Sequence, residues 1–474
     1  MSISLFVAAP LALLLASCAA TSTFVGQQQA AGPAAAADGI SVYFNQRRQA
    51  RYRSPLTDTL RQGDDLEQVV LDAVAGARSS VSLAVQELTL PRIAQALVER
   101  HRAGVHVRVV LENSYSTPWS RQHPSELDDH ARHRWQRLHD LSDGDQDGTV
   151  TQAERRAGDA VALLLEGGVP LLDDTADGSA GSGLMHHKFL VVDGREVVTG
   201  SANFTSSGIH GDAGAPSSRG NANHMVRIHS TALAGLFEEE FSRLWGDGPG
   251  GREDGRFGLG KGGGGSVRLR QGDGRLEVLF APHPRKDGNN GLAFIEQVLA
   301  MARTQVDMAL FVFSDQGIAD RLETLAQRGV NIRLLVDPGF ATRSYSELLD
   351  LAGVVRPDRR CRVEAGNKPW PPGLAEVGIP QLPRGDKLHH KFAVVDNTTV
   401  ITGSFNWSPS AAHQNDETLL VIKHPKLAAA FDREFSRLWQ NAELGITPRL
   451  QSQLERDRLR CPETVNLAPP SALL

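Results

Sequence analysis

The chain contains a large part of itself twice. Ser79 to Glu112 (SSVSLAVQELTLPRIAQALVERHRAGVHVRVVLE) reads like Thr304 to Asp337 (TQVDMALFVFSDQGIADRLETLAQRGVNIRLLVD), and Phe237 to Trp245 (FEEEFSRLW) returns as Phe431 to Trp439 (FDREFSRLW). A repeat of this length is a duplicated domain, since solenoid units are much shorter. With 474 residues, 41% of them hydrophobic and 22% charged, the chain can build two cores. In the first copy, Val81 to Val85 has the β-branched content of a strand, Pro91 to Ala103 is an amphipathic helix opened by proline and stopped at Gly104, and His106 to Leu111 is the next strand. Strand, helix, strand predicts a parallel pair with a right-handed crossover, and hence an α/β fold.

The duplication also copies chemistry. His186-His187-Lys188 is followed by Asp193 and then by Gly200-Ser201-Ala202-Asn203; His389-His390-Lys391 is followed by Asp396 and Gly403-Ser404-Phe405-Asn406. Side chains two apart in a strand share a face, so His186 projects with Lys188, and Ser201 with Asn203 on the next strand. If the halves pack about a pseudo-two-fold axis, two histidines, two lysines and two asparagines face one another across a cleft. Such a cage suits an anionic centre that needs a nucleophile and an acid, and a phosphodiester fits that description.

The pattern His-x-Lys-x4-Asp followed by Gly-Ser-x-Asn resembles the signature of the phospholipase D superfamily, and both copies match it in full. The resemblance implies two similar phospholipase D-like domains, each a mixed β-sheet flanked by helices. It also implies two-step displacement through a phosphohistidine, with His186 as nucleophile and His389 as acid. Lys188, Lys391, Asn203 and Asn406 would hold the non-bridging oxygens, with hydroxyl contacts from Ser201 and Ser404 and no metal in the chemistry. Asp193 and Asp396 belong to the motif but stand where turn residues belong, which predicts a structural role. Family members carry a carboxylate that backs a catalytic histidine; Glu417 occupies that place in the second half and is expected to serve His389. In the first half Asn223 stands where the acid should be, with Asp212 as a substitute in a loop nine residues longer than its counterpart. The activity expected is phospholipid head-group hydrolysis by a single chain. The alternatives are an exported endonuclease, and a catalytically inactive calcium-binding envelope protein.

Glu112 and His186 are 74 positions apart, Asp337 and His389 only 52, so the first half carries 22 extra residues. That surplus contains Asp143-Gly144-Asp145-Gln146-Asp147-Gly148-Thr149-Val150-Thr151-Gln152-Ala153-Glu154. Aspartates at positions 1, 3 and 5, glycine at 6 and glutamate at 12 make an EF-hand-type calcium loop, with Asp143, Asp145, Asp147, Thr149 and Glu154 as ligands. Helices are expected on either side, over 127–138 and 153–164. The insert, about 126–164, concentrates acid: nine carboxylates against five arginines between Glu126 and Asp159, in a chain of net charge −5. The remainder is close to neutral, which argues neither for nor against a nucleic-acid partner.

Residues 1–18 have the short apolar run of an export signal, and Leu15-Ala16-Ser17-Cys18 resembles a bacterial lipoprotein processing box. The expectation is an exported protein, lipid-anchored through Cys18 in a bacterial envelope, or otherwise periplasmic or secreted. Residues 19–38 are expected to be a tether, 39–245 the first domain, 246–266 a glycine-rich linker that packs nothing, 267–445 the second domain and 446–474 a peripheral tail. Cys361 and Cys461 remain as an even pair that export would allow to bond. His187 and His390, between the cage residues, should be core histidines. Arg47, Arg48, Arg51, Arg53 and the run Arg359, Arg360, Arg362 suit a solvated face better than a ligand.

Overall fold

Two sheets face each other across a shared aromatic core. The computed structural model describes residues 32–145, 147–175, 183–212, 214–215 and 217–462. Segment 1–18, and with it Cys18, lies outside the described residues. The first sheet has eight described strands, ordered Ala35–Ala37, Ile40–Phe44, His224–His229, Glu196–Gly200, Lys188–Val192, Ser80–Val85, His106–Leu111, Leu171–Asp173. The second has nine and repeats the inner order: Val267–Gln271, Gly274–Ala281, Glu417–Lys423, Thr399–Gly403, Lys391–Val395, Gln305–Leu310, Asn331–Val336, Val377–Ile379, Glu443–Leu444. The expected parallel pairs are present, Val85 lying opposite Leu111 and Leu310 opposite Val336. Both sheets mix these with antiparallel neighbours.

Each sheet is covered on both faces. The helix Pro91–Arg102 and its counterpart Gln316–Gln327 turn apolar residues such as Ile93, Leu97, Ile318 and Leu322 onto the outer faces. The helices Thr231–Trp245 and Pro425–Trp439, the two copies of the FxxEFSRLW segment, pack between the sheets. The packing there is reciprocal: Phe44 of the first half meets Phe431 of the second at 5.1 Å, and Phe280 of the second meets Phe237 of the first at 5.0 Å, both edge to face. The halves therefore do not part into separable cores; their inner faces are one cluster.

Three expectations about boundaries change. Of the expected tether, 19–31 lies outside the described residues, and Ala35–Ala37 pairs with the strand Ile40–Phe44 as an edge strand. The 246–266 segment does pack: Phe257 is buried in the shared core, and the buried Lys261 bridges Glu240 and Asp416, the latter at 2.7 Å. Glycine content hid one aromatic and one cation with buried partners. The tail forms a helix, Pro448–Arg460, with Leu450 buried, Asp457 bonded to Arg356 at 2.7 Å, and Cys461 joined to Cys361 by a disulfide. In the insert, the helix Asp129–Leu141 precedes the acidic loop, and the following helix breaks at Asp159 into Gln152–Gly158 and Ala160–Glu166. Asp159 ends the first and caps the second, its side chain accepting from Val161 and Ala162.

Candidate active site

The strand carrying the first motif begins at Lys188, so His186 sits just ahead of it, not within it as alternation predicted. What holds His186 is the other half of the chain. Its backbone N–H donates to Asp416 O at 3.0 Å, and Asp416 N–H donates to Leu184 O at 2.9 Å. The same pair recurs with the halves exchanged: Ala222 N–H to Lys387 O at 2.7 Å and His389 N–H to Ala222 O at 3.1 Å. Each histidine is thereby stitched to the residues of the opposite half that lead into the strand Glu417–Lys423 or His224–His229.

These stitches decide which group backs which imidazole. His186 Nδ1 meets the Glu417 carboxylate at 2.8 Å, and His389 Nδ1 meets Asn223 Oδ1 at 2.9 Å. Glu417 therefore serves the histidine of the first half, correcting the expectation that it backs His389. Asp212 substitutes for nothing at His389: its carboxylate lies beside Gly385, and its N–H donates to Ser218 Oγ at 3.0 Å. With Nδ1 engaged on both rings, Nε2 is the nitrogen left to act on a ligand.

The serines also differ from expectation. Ser404 Oγ donates to Glu417 at 2.6 Å and Ser201 Oγ to Asn223 Oδ1 at 2.8 Å, so they orient the groups behind the histidines and do not reach toward a phosphate. They stand past the ends of the strands Glu196–Gly200 and Thr399–Gly403, where the chain turns at glycine. A Cβ at Gly200 would lie 2.3 Å from His224 O, and one at Gly403 2.1 Å from Thr418 O, and both φ values are positive. Only glycine allows this approach.

Lys188 Nζ donates to His186 O at 2.6 Å and Lys391 Nζ to His389 O at 2.8 Å. Asn203 Nδ2 donates to Gln86 Oε1 at 3.1 Å, while Asn203 Oδ1 and Asn406 Oδ1 are buried with no protein partner among the described residues. Burial pushes His186 down to about 4 against the upward pull of Glu417, and pushes Lys188 down to about 7. His389 and Lys391 are held well below their ordinary values, by burial first and then by neighbouring lysines. Burial would raise Glu417, but His186, Lys188 and Ser404 together keep it below the usual carboxylate value. Lys188 and His186 both act on His389, and Lys391 acts on His186, so the four groups share one electrostatic site. An arriving anion would favour the charged forms of Lys188 and Lys391 and be held by them.

The two motif aspartates lie at the opposite ends of their strands. Asp193 accepts from the backbone N–H groups of Arg78, Ser79 and Ser80, and Asp396 from those of Arg303, Thr304 and Gln305. They anchor turns, with φ of 52° and 49°, and do not join the site. His187 bonds Thr418 and Glu240, and His390 bonds His224 and Glu434, all buried. The arginine groups do not converge on the cleft: Arg47 pairs with Asp64, Arg53 with Asp58 and Arg362 with Asp358.

Residues 70–245 and 295–439 match the family model described as cardiolipin synthase, PLD-like domain. The chain belongs to this phospholipase D-like family. One motif copy falls in each matched segment, and the acidic insert interrupts the first. Mitochondrial cardiolipin hydrolase of Homo sapiens is 31% identical over 156 residues, covering 32% of this chain and 52% of that protein. Phospholipase D of Rickettsia prowazekii is 29% identical over 138 residues, covering 29% of this chain and 57% of that protein. The chain spans about half the length of these curated relatives. The solved structure of phosphatidylserine synthase from Haemophilus influenzae superposes with a TM-score of 0.52 at 13% identity, covering 94% of this chain and 98% of that one, so the fold is shared over nearly the whole of both.

Two groups in this phospholipase D-like site escaped sequence reasoning. Gln86 touches both Lys188 and Asn203 from the end of the strand Ser80–Val85. Aligning the repeats sets it opposite Phe311, and a polar residue there was the available signal. Lys261, from the supposed linker, neutralises Asp416, the residue whose carbonyl fixes His186. Nothing in its glycine-rich surroundings announced it.

Proposed function

We propose that this phospholipase D-like chain hydrolyses phosphodiesters through a phosphohistidine on His186, with phospholipid head groups as the substrate class. The observation that carries the reading is the pairing of His186 with Glu417 opposite a second, carboxylate-free histidine. His186 Nδ1–H donates to the Glu417 carboxylate, leaving the Nε2 lone pair to attack phosphorus. The bond from phosphorus to the leaving oxygen breaks, and that oxygen takes the proton from His389 Nε2. Water then attacks the phosphohistidine and gives its proton to His389, and the P–N bond breaks, restoring His186. Lys188, Lys391, Asn203 and Asn406 stabilise the charge that builds on the non-bridging oxygens. Glu417 supports the positive imidazole as attack proceeds. The names of the relatives, cardiolipin hydrolase and phospholipase D, support a phospholipid substrate.

The acidic insert is proposed to hold calcium apart from this chemistry. Oxygens of Asp143, Asp145 and Asp147 lie within 4.8 Å of one another, and Glu154 reaches back to Gly144 N–H at 3.0 Å. Short carboxylates from alternate positions with a longer one closing the loop are the donor set a hard cation takes. Export and a lipid anchor on Cys18 complete the proposal, and mass spectrometry of the mature N-terminus tests them.

The deciding experiment offers purified protein phospholipid vesicles, plasmid DNA and bis(p-nitrophenyl) phosphate, with His186→Ala and His389→Ala as controls. Head-group release lost in both variants is expected. Nicking of DNA without lipid cleavage would transfer the same chemistry to nucleic acid, and inertness toward all three would overturn it.

A further inference from the structure

The two sides of the cleft are not equally braced. Gln86 Oε1 accepts from Lys188 Nζ at 3.3 Å and from Asn203 Nδ2 at 3.1 Å, so one amide oxygen ties together the ammonium and the amide of the first half. Gln86 is itself anchored, its N–H donating to His187 O at 3.1 Å and its carbonyl accepting from Glu112 N–H at 3.3 Å. The next residue, Glu87, pairs with Arg134 of the insert helix at 2.6 Å. In the second half the equivalent residue is Phe311, whose N–H makes the same bond to His390 O at 2.8 Å. Its ring has no acceptor to offer. It packs 4.7 Å from the His389 ring and 4.7 Å below Lys391 Nζ, an attraction without hydrogen-bond direction.

We propose that Gln86 is a positioning residue that fixes Lys188 and Asn203 as one rigid donor pair for a non-bridging phosphate oxygen, while Lys391, over the Phe311 ring, and Asn406 form the adjustable side of the cage. The proposal rests on the phosphodiesterase reading above. Donors held in place before the reaction need no reorganisation as charge builds, which is why a second-layer hydrogen bond affects turnover. Methionine at position 86 keeps the length and loses the acceptor. Glutamate keeps both bonds and adds a charge that raises the pKa of Lys188.

With bis(p-nitrophenyl) phosphate as substrate, Gln86→Met is expected to lower kcat/KM about 10- to 100-fold with an unchanged melting temperature, an effect of the size seen when outer-layer hydrogen bonds are removed. Gln86→Glu is expected to recover most of that loss and to move the basic limb of the pH profile upward. Wild-type turnover in Gln86→Met, or a basic limb that stays put in Gln86→Glu, would overturn the proposal. If Gln86→Met fails to fold, the position of the Gln86→Glu limb decides alone. Should the wild-type protein cleave no phosphodiester, the functional reading fails, and calorimetric binding of inorganic phosphate still judges Gln86. Weaker binding in Gln86→Met upholds its role and equal binding refutes it.

Discussion

His186 and Glu417 stand 231 positions apart in the chain and meet at 2.8 Å, each buried, each from a different half. A carboxylate on Nδ1 holds the imidazole in one tautomer and supports its positive charge, whereas the Asn223 amide on His389 does only the first. The duplicated site is thus chemically asymmetric. Glu417→Gln should lower kcat by about 10²- to 10⁴-fold, the range for removing such a carboxylate, and shift the acid limb to lower pH. Asn223→Asp should raise the pKa of His389 and extend activity to higher pH. Steady-state kinetics across pH on both variants checks this; equal, small effects would mean that the pairing has no catalytic consequence.

The pH dependence of wild-type kcat/KM reports the unliganded site. His186 is pushed down to about 4, so the neutral nucleophile is present above that pH and lost as pH falls through it. Lys188 is pushed down to about 7, so its positive charge is present below that pH and lost as pH rises through it. A bell is expected, its acid limb set by His186 and its basic limb by whichever of the His389 acid and the Lys188 ammonium loses its proton first. A profile without a basic limb would remove both the His389 proton and the Lys188 charge from the reaction.

Asp193 and Asp396 should matter to stability and not to turnover. Either change to Ala strands three backbone N–H groups, at a cost of about 1–2 kcal/mol by analogy with a helix cap, and kcat should stay near wild type. Backbone hydrogen bonds outweigh burial and pull Asp193 down to about 2, below its unfolded value, so its contribution is present at neutral pH and lost as pH falls toward 2. Thermal melts at pH 7 should separate wild type from variant, and melts at low pH should converge. A loss of kcat in a variant with an unchanged melt would return these aspartates to the chemistry.

Calcium at ten times its dissociation constant should stabilise the fold by about 1.4 kcal/mol, raising the melting temperature by about 1–3 °C. Chelator should reverse the rise while turnover continues, and Asp145→Asn should abolish it. Complete loss of activity in a folded, chelated protein would defeat the separation of the insert from the site.

Much of this was legible in the residues. Strand, helix, strand could be read from β-branched runs and a proline-opened helix because those signals are local, and the observed strand His106–Leu111 has the expected bounds. The lines drawn through the tether, the linker and the tail moved because Ala35–Ala37, Phe257, Lys261 and Cys461 take their roles from distant partners. The serines were misjudged for the same reason: glycine turns carry them past their strands and aim them at Glu417 and Asn223.

The amino-acid sequence by itself determined the duplicated α/β plan and the kinds of groups brought to the cleft, since both are written in local periodicity and in two copies of one motif. Only the tertiary structure decided which histidine the Glu417 carboxylate answers and which is left to the Asn223 amide. That choice depends on the parallel bridges from Met185 to Asp416 and from Ala222 to Leu388, which cross from one half to the other. Such hydrogen bonds form between backbone groups that any residues could supply, so they leave no mark in the order of the side chains.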